Sequence, residues 1–424
     1  MLDIKQIRSE PEKYRQGLQA KGASARLEEL LSWDAQRREQ LMRVEELKNR
    51  RNSASAEIAV LKKRGQPVEE QVNQMRQVGD EIKILDAKIH EIEDNLNKIL
   101  ITLPNLPHIS VKTGQPPNDN TVVKEWGRPP QYDFPLKDHL DLGESLGILD
   151  FKSASKISGA GFPLYIGAGA TLERALVNFM LDLHRNKHGY TEVFPPFMVA
   201  RHSAFGTGQL PKLEIDMYRT TEDDLFMIPT AEVPVTNMHR EEIIPEEQLP
   251  KKYTAYSACF RREAGSYGKE TRGLSRVHQF NKVELVWFTT PENSYTVHEE
   301  LLRDAEEVLQ ALNLHYRVVE LCSGDLSFAA AKCYDLEIWA PGSRKYFEVS
   351  SVSNFEDFQA RRANIRYRRK DGKVGYLHTL NGSGVATPRL MIALLESYQT
   401  DEGKIIVPEV LHPYTGFHQI QVRR

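Results

Sequence analysis

From Val68 onward, apolar residues fall at Val68, Val72, Met75, Val78, Ile82, Leu85, Ile89, Ile92, Leu96 and Ile99. The steps are of three or four residues, alternating from Val78 onward, which is the seam of a left-handed coiled coil. A run rich in Glu, Arg, Lys, Gln and Ala precedes it, with Leu27, Leu30, Leu41, Val44, Leu47, Ala54, Ile58 and Leu61 at helical spacing. Arg64-Gly65-Gln66-Pro67 separates the two, Gly suiting the residue after a helix and Pro the first turn of the next. Two helices joined by so short a turn form an antiparallel hairpin. Each extends roughly 50 Å at about 1.5 Å per residue.

Such an arm buries one stripe per helix, so it is a poor core and a good lever. Its outer faces carry Arg37, Arg38, Arg43, Lys48, Arg50, Arg51, Lys62, Lys63 and Arg64. Taken singly, each is accounted for by solvation and pairing with nearby Glu. As a patch they point to contact with a nucleic-acid backbone. The net charge of the chain is only −3, so any such contact must be local.

Residues 1–25 read as a short helical preamble, with Ser9 as N-cap ahead of Pro11. Pro104, Pro107, Pro116, Pro117, Pro129, Pro130 and Pro135 mark a polar linker. The chain therefore divides into residues 1–103, holding the arm, and residues 104–424. Cys259, Cys322 and Cys333 are odd in number and lack C-x-x-C spacing, which argues against a disulfide framework or a four-cysteine zinc site. The N-terminus has no apolar core typical of a secretory signal, and no apolar run reaches membrane-spanning length. A cytoplasmic protein is expected.

After the linker, strand and helix signals alternate as in an α+β domain. A helix is expected over Leu172–His188, closed by Gly189, then a strand from Tyr190 running into Pro195-Pro196, which must end or lie at a sheet edge. Tyr253–Phe260 and Val277–Phe288 read as a long antiparallel hairpin around a charged, Gly-bearing loop. Alternation puts Phe280, Lys282 and Glu284 on one face of the return strand. A helix over Pro291–Leu312 and strands at His315–Leu321, Tyr334–Trp339 and Tyr346–Val352 follow, then a segment dense in Arg from Arg361 to Arg369. Asn381-Gly-Ser-Gly384 leads through Arg389 into a last apolar helix. Neither a G-x-x-x-x-G-K-[ST] loop nor a strand-borne G-x-G-x-x-G occurs, so any ATP site is neither a P-loop nor a dinucleotide fold.

Three segments, in order, resemble the signature motifs of class II aminoacyl-tRNA synthetases: the strand ending at Pro195-Pro196; Phe260-Arg261-Arg262-Glu263 with Phe280-x-x-x-Glu284; and Gly382-x-Gly384 through Arg389. The arm, Thr230-Ala231-Glu232, Glu348-Val349-Ser350-Ser351 and Asn381-Gly-Ser-Gly384 narrow the resemblance to the seryl-tRNA synthetase family, without the Cys and His spacing of its zinc-dependent archaeal form. The resemblance implies an antiparallel-sheet catalytic domain behind a tRNA-binding coiled-coil domain, and a homodimer formed through the first motif.

It also implies roles. Arg261 bridges the ATP α-phosphate and the serine carboxylate, as a planar guanidinium fork suits two anions. Arg389 holds the γ-phosphate, and these two arginines are the catalytic pair. Phe280 stacks on adenine beside Val277, with Arg262 and Glu263 nearby. Glu348, Val349, Ser350 and Ser351 complete the ATP site, Glu348 and Ser351 holding Mg²⁺ as hard oxygen ligands. Thr230 and Glu232 surround the L-serine ammonium, with Ala231 between them in the serine pocket, and Glu284 and Ser383 face its hydroxyl. The serine carboxylate attacks the α-phosphorus, giving seryl-adenylate and pyrophosphate, and a terminal tRNA ribose hydroxyl then takes the acyl group. The loop from Gly265 to Gly273 meets the acceptor end. tRNA(Ser) is the expected nucleic-acid partner, and tRNA(Sec) where the host has it. Two rival readings are a paralogue loading a small amino acid onto a carrier protein and a non-catalytic RNA-binding relative. The complete arm opposes the first, and the complete motifs oppose the second.

Overall fold

The computed structural model describes residues 1–23, 26–264 and 272–422. The chain divides into two compact units, Leu2–Pro104 and Asn105–Arg424, the second including Met1.

In the first unit, α1 (Ile4–Ser9) and α2 (Pro11–Ala20) precede the long helices α3 (Leu27–Lys63) and α4 (Glu69–Leu100). The expected cap at Ser9 is not made. Ser9 is the last residue of α1, its hydroxyl donating back to the Gln6 carbonyl, and Glu10 takes the position before Pro11. The turn between α3 and α4 closes as the sequence implies, with Gly65 at φ 74° and the Gln66 N–H reaching back to the Leu61 carbonyl. Pro67 falls before the Val68 cap and so lies outside the first turn of α4. Val44 and Leu47 pack against Val78, Ile82 and Ile89 along the seam, flanked by Met75 and Leu85. Each such buried side chain contributes about 1.5–3 kcal/mol. Toward the tip the stripe thins, and Val60 and Val72 are exposed.

The second unit is built on an eight-stranded sheet. Its strands are β1 (Thr121–Trp126), β2 (Thr191–Val193), β3 (Lys251–Phe260), β4 (Gln279–Thr289), β5 (Tyr316–Glu320), β6 (Lys332–Ala340), β7 (Lys345–Asn354) and β8 (His378–Ala386). They run in the order β1-β5-β6-β7-β8-β4-β3-β2, antiparallel throughout except where the edge strand β2 meets β3. The proline-rich stretch is more than a linker. It supplies β1, paired to β5, and a buried Asn105 whose amide donates to the Ala329 and Phe355 carbonyls. One face of the sheet carries Val283, Leu285 and Trp287 into the main core beneath α5 (Ala168–Asn186), α7 (Ser294–Ala311) and α9 (Thr387–Ser397). The opposite face continues into an apolar cluster containing Ala231, Val286, Phe288 and Ala360, near α6 (Glu232–Asn237) and α8 (Phe358–Ala363). Among the described residues, no helix is long and apolar enough to cross a membrane.

Candidate active site

Four neighbouring strands are β7, β8, β4 and β3, and they carry Phe280, Glu284, Ser383 and Glu348 to Ser351. Arg261 to Glu263 follow β3, Val277 precedes β4, Arg389 follows β8, and Thr230 to Glu232 lie at the start of α6. Their ladders hold the registers Val352↔Gly382, Ser383↔Glu284 and Cys259↔Phe280. Two irregularities adjust what they present. On β7 the pairing to β6 shifts between Glu348 and Ser350. On β8 two residues, Gly384 and Val385, stand opposite the single Val283 between Lys282 and Glu284, a β-bulge. Val385 takes φ 117° there. A side chain at Gly384 would collide with the His184 ring, its Cβ 2.6 Å from Nε2.

Deepest in the site is Glu284, fully buried on β4. Thr230 Oγ1 donates to Glu284 Oε2 at 2.6 Å, and Asn381 Nδ2 donates to Oε1 at 2.8 Å. Lys282, two residues earlier on the same face, forms an ion pair with Glu284 and donates to Thr230 Oγ1 at 2.9 Å. Thr230 also accepts the Glu232 N–H, so its hydroxyl ties the start of α6 to β4. Glu232, the first residue of α6, accepts from Gln359 Nε2 at 2.5 Å, and Gln359 is held in turn by Thr379. Burial first, and then the nearby Glu284 carboxylate, push the Glu232 carboxyl up to about 7. Ala231 is buried just ahead of it, and Ser383 is buried on β8 with its carbonyl accepting from Ser350 Oγ at 2.6 Å.

Farther out, the Arg261 guanidinium lies over the Phe280 ring, 5.1 Å from its centroid. Its backbone N–H donates to the His278 carbonyl, next to the buried Val277. Arg262 turns elsewhere. It donates to the Ile215 carbonyl and lines a cavity with Glu214, Met217, Tyr218 and Arg219. Glu263, at φ 52°, is bonded by Arg276 at 2.6 Å. Arg389, in the first turn of α9, spans the strands: Nη1 donates to the Glu348 carbonyl at 2.7 Å and Nε to the Ser275 carbonyl at 3.1 Å. Ser351 stands opposite Asp335 on β6. Burial, and next the Glu348 carboxylate, hold Asp335 well above the usual carboxylate range. Gly265 to Thr271 of the hairpin loop lie outside the described residues.

The structure thus brings Arg261, Phe280, Glu284, Thr230, Glu232 and Ser383 onto adjacent elements of one sheet face, with Arg389 and Glu348 joined beside them. Four further residues belong to this group: Lys282, Asn381, Gln359 and Asp335. Lys282 shares the face that alternation assigned to Phe280 and Glu284, and Asn381 opens the glycine motif. Nothing local marks Gln359 or Asp335.

On the arm, Arg37, Arg43 and Lys48 pair with Glu93, Glu81 and Asp86 across the seam, and Arg38 pairs with Asp34. Arg50, Arg51, Lys62 and Lys63 make no ion pair among the described residues.

Residues 1–107 match the seryl-tRNA synthetase N-terminal domain, and residues 212–398 match the tRNA synthetase class II core domain (G, H, P, S and T). A serine–tRNA ligase of Caldicellulosiruptor bescii is 57% identical over 98% of this chain and 99% of its own length. One from Chlorobaculum parvum is 55% identical over 99% of this chain and all of its own. Among solved structures, a seryl-tRNA synthetase from Pyrococcus horikoshii complexed with ATP superposes with a TM-score of 0.96 at 39% identity, covering 100% of both chains. A cytoplasmic serine–tRNA ligase from Naegleria fowleri in complex with AMP gives 0.90 at 30% identity, covering 100% of this chain and 99% of its own. An antiparallel class II sheet, a two-helix arm and full-length identity of this order all agree, and the chain belongs to the seryl-tRNA synthetase family, as a class II serine–tRNA ligase.

Proposed function

We propose that the sheet face from Arg389 to Glu232 activates L-serine with ATP and passes the seryl group to tRNA(Ser), and to tRNA(Sec) in a host that has it. The carrying observation is the contiguity of β7, β8, β4 and β3, which sets Arg261, Glu284 and the Arg389–Glu348 pair side by side. Adenine takes the Phe280 face that the Arg261 guanidinium covers, against the backbone at Val277. Arg261 moves onto the α-phosphate and serine carboxylate, and Arg389 takes the γ-phosphate. Glu263 orders the start of the loop through Arg276. Arg262 faces the cavity beside Ile215, which supports a role at the rim over one on the triphosphate. The serine ammonium meets Glu232 beside Thr230 and Ala231, and its hydroxyl meets Glu284 and Ser383. No protein nucleophile is needed. The serine carboxylate is aligned on the α-phosphorus and charge is neutralised as pyrophosphate leaves.

Glu348 and Ser351 fit Mg²⁺, and Asp335 stands opposite Ser351 as a second carboxylate, held well above the usual carboxylate range by burial first and then by Glu348. Among the described residues no group of three or more His, Cys, Asp or Glu is arranged to hold a metal alone. That suits an ion that takes its remaining ligands from phosphates, with Val349 and Ser350 shaping the strand between. Such an ion would supply charge neutralisation on the triphosphate.

The residue 1–103 domain binds tRNA through Arg50, Arg51, Lys62 and Lys63, and residues 104–424 carry out both chemical steps. The enzyme acts as a homodimer in the cytoplasm. The edge strand β2, with the adjoining Phe194 77% exposed and tilted against the Phe197 and Tyr256 rings, supports pairing with a second copy. Three free cysteines, all buried, accord with a reducing compartment.

Serine-dependent ATP–pyrophosphate exchange tests the site. Exchange with serine alone from an amino-acid panel, abolished by both R261A and R389A, is the expected result. Exchange that survives either substitution within a few-fold refutes the assignment.

A further inference from the structure

The pocket holds two buried carboxylates, Glu232 and Glu284, while serine brings one ammonium. It also holds a cation to which none of the roles above gives a task. Lys282 is 6% exposed, with its Nζ on Thr230 Oγ1 at 2.9 Å and against the Glu284 carboxylate. Buried charge is costly unless matched, so the occupied site must balance. Lys282 cancels Glu284. Arg261 remains for the substrate carboxylate and Glu232 for the substrate ammonium. The charges close for a zwitterion in one orientation only, with its neutral arm toward Glu284. Without Lys282 both carboxylates would compete for the ammonium.

We propose that Lys282 is a specificity-determining residue: by pairing with Glu284 it makes that carboxylate an acceptor for a hydroxyl and sends the ammonium to Glu232. The inference rests on the reading that this pocket takes serine. Thr230 serves it as the pivot, since its hydroxyl accepts from Lys282 and donates to Glu284. Around Glu232 stand Glu284 and Lys282 from β4, Arg261 after β3 and the neutral Gln359 from α8.

The test uses the full-length enzyme, K282M, and 2,3-diaminopropionate, in which a second amine replaces the serine hydroxyl. In ATP–pyrophosphate exchange the wild type should prefer serine, because a second ammonium would face Lys282. In K282M the ratio of kcat/KM values should move at least about tenfold toward the diamine, since like-charge repulsion is replaced by attraction to Glu284. Lys282 is one of the cations drawing the Glu232 carboxyl down. K282M should therefore also shift the acid limb of the serine KM profile to higher pH, and K282R should restore both behaviours. If K282M does not fold, K282Q takes its place. Equal loss of both substrates, or unchanged selectivity, overturns the proposal for Lys282 while leaving the serine pocket standing. A wild type without serine-dependent exchange would instead sink the pocket reading itself.

Discussion

Arg43 on the arm and Lys282 in the sheet are both ion-paired cations, one with Glu81 at the surface and one with Glu284 in the interior. Exposed pairs like the first contribute ~0–1 kcal/mol and fade with salt. Removing one partner from a buried pair costs about 3–5 kcal/mol, because the other charge is left in a low dielectric. The arm can therefore carry many charges cheaply, and the ones that matter there are those without partners. If the arm meets tRNA as proposed, Arg50, Arg51, Lys62 and Lys63, without an ion pair among the described residues, are the cations left for phosphates. In the sheet the logic reverses, and a cation has meaning through the partner it holds.

The largest effect expected is that of R261A, which should lower serine-dependent pyrophosphate exchange by about 10³-fold or more while leaving thermal unfolding nearly unchanged. A comparable loss on removing any single arm cation would erase the distinction. Next, E284A strands Lys282 and should destabilise the catalytic unit by about 3–5 kcal/mol in denaturant titration, against less than about 1 kcal/mol for E81A on the arm. Similar costs at the two sites would break the comparison.

Third, replacing Arg50, Arg51, Lys62 and Lys63 together by Gln should reduce kcat/KM for tRNA charging by about 10–100-fold at low salt and flatten its salt dependence, with exchange unaffected. Equal loss of both activities would reject the division of labour between the units.

The smallest effect is a matter of pH. Glu232 must be ionised to take an ammonium, and its carboxyl sits at about 7. Serine KM should therefore rise up to about tenfold per pH unit below that value. Stability should move the other way. The folded state holds this proton more tightly than the unfolded chain, so stabilisation is present below the model-peptide value of 4.5 and is lost as pH rises toward 7, on the order of 3 kcal/mol at most. A serine KM flat between pH 6 and 8 would remove Glu232 from the ammonium.

What could be read from the sequence follows the range of the interactions. The arm is written in local periodicity, and a glycine marks its turn, so α3 and α4 end where the pattern does. The Ser9 cap fails because Ser9 still belongs to α1 and the single residue between the helices, Glu10, takes the position before Pro11. β1 escapes notice because prolines flank it and all its residues but Trp126 are exposed, with no apolar alternation to betray it. In the site, alternation on β4 put Phe280, Lys282 and Glu284 together, and the motif resemblance supplied Arg261, Glu348 and Arg389. Gln359 reaches Glu232 across 127 residues of chain, and Asp335 meets Ser351 only through strand pairing. Neither partnership leaves a trace in its neighbours along the sequence.

The extra residue on β8 opposite Val283 has a practical corollary. Side chains of a strand change sides with every residue, so excising Gly384 would straighten the ladder and turn either Asn381 and Ser383 or the lead into Arg389 to the wrong side. Because Leu380 and Val385 of that strand sit in the main core, the deletion should cost thermal stability as well as catalysis.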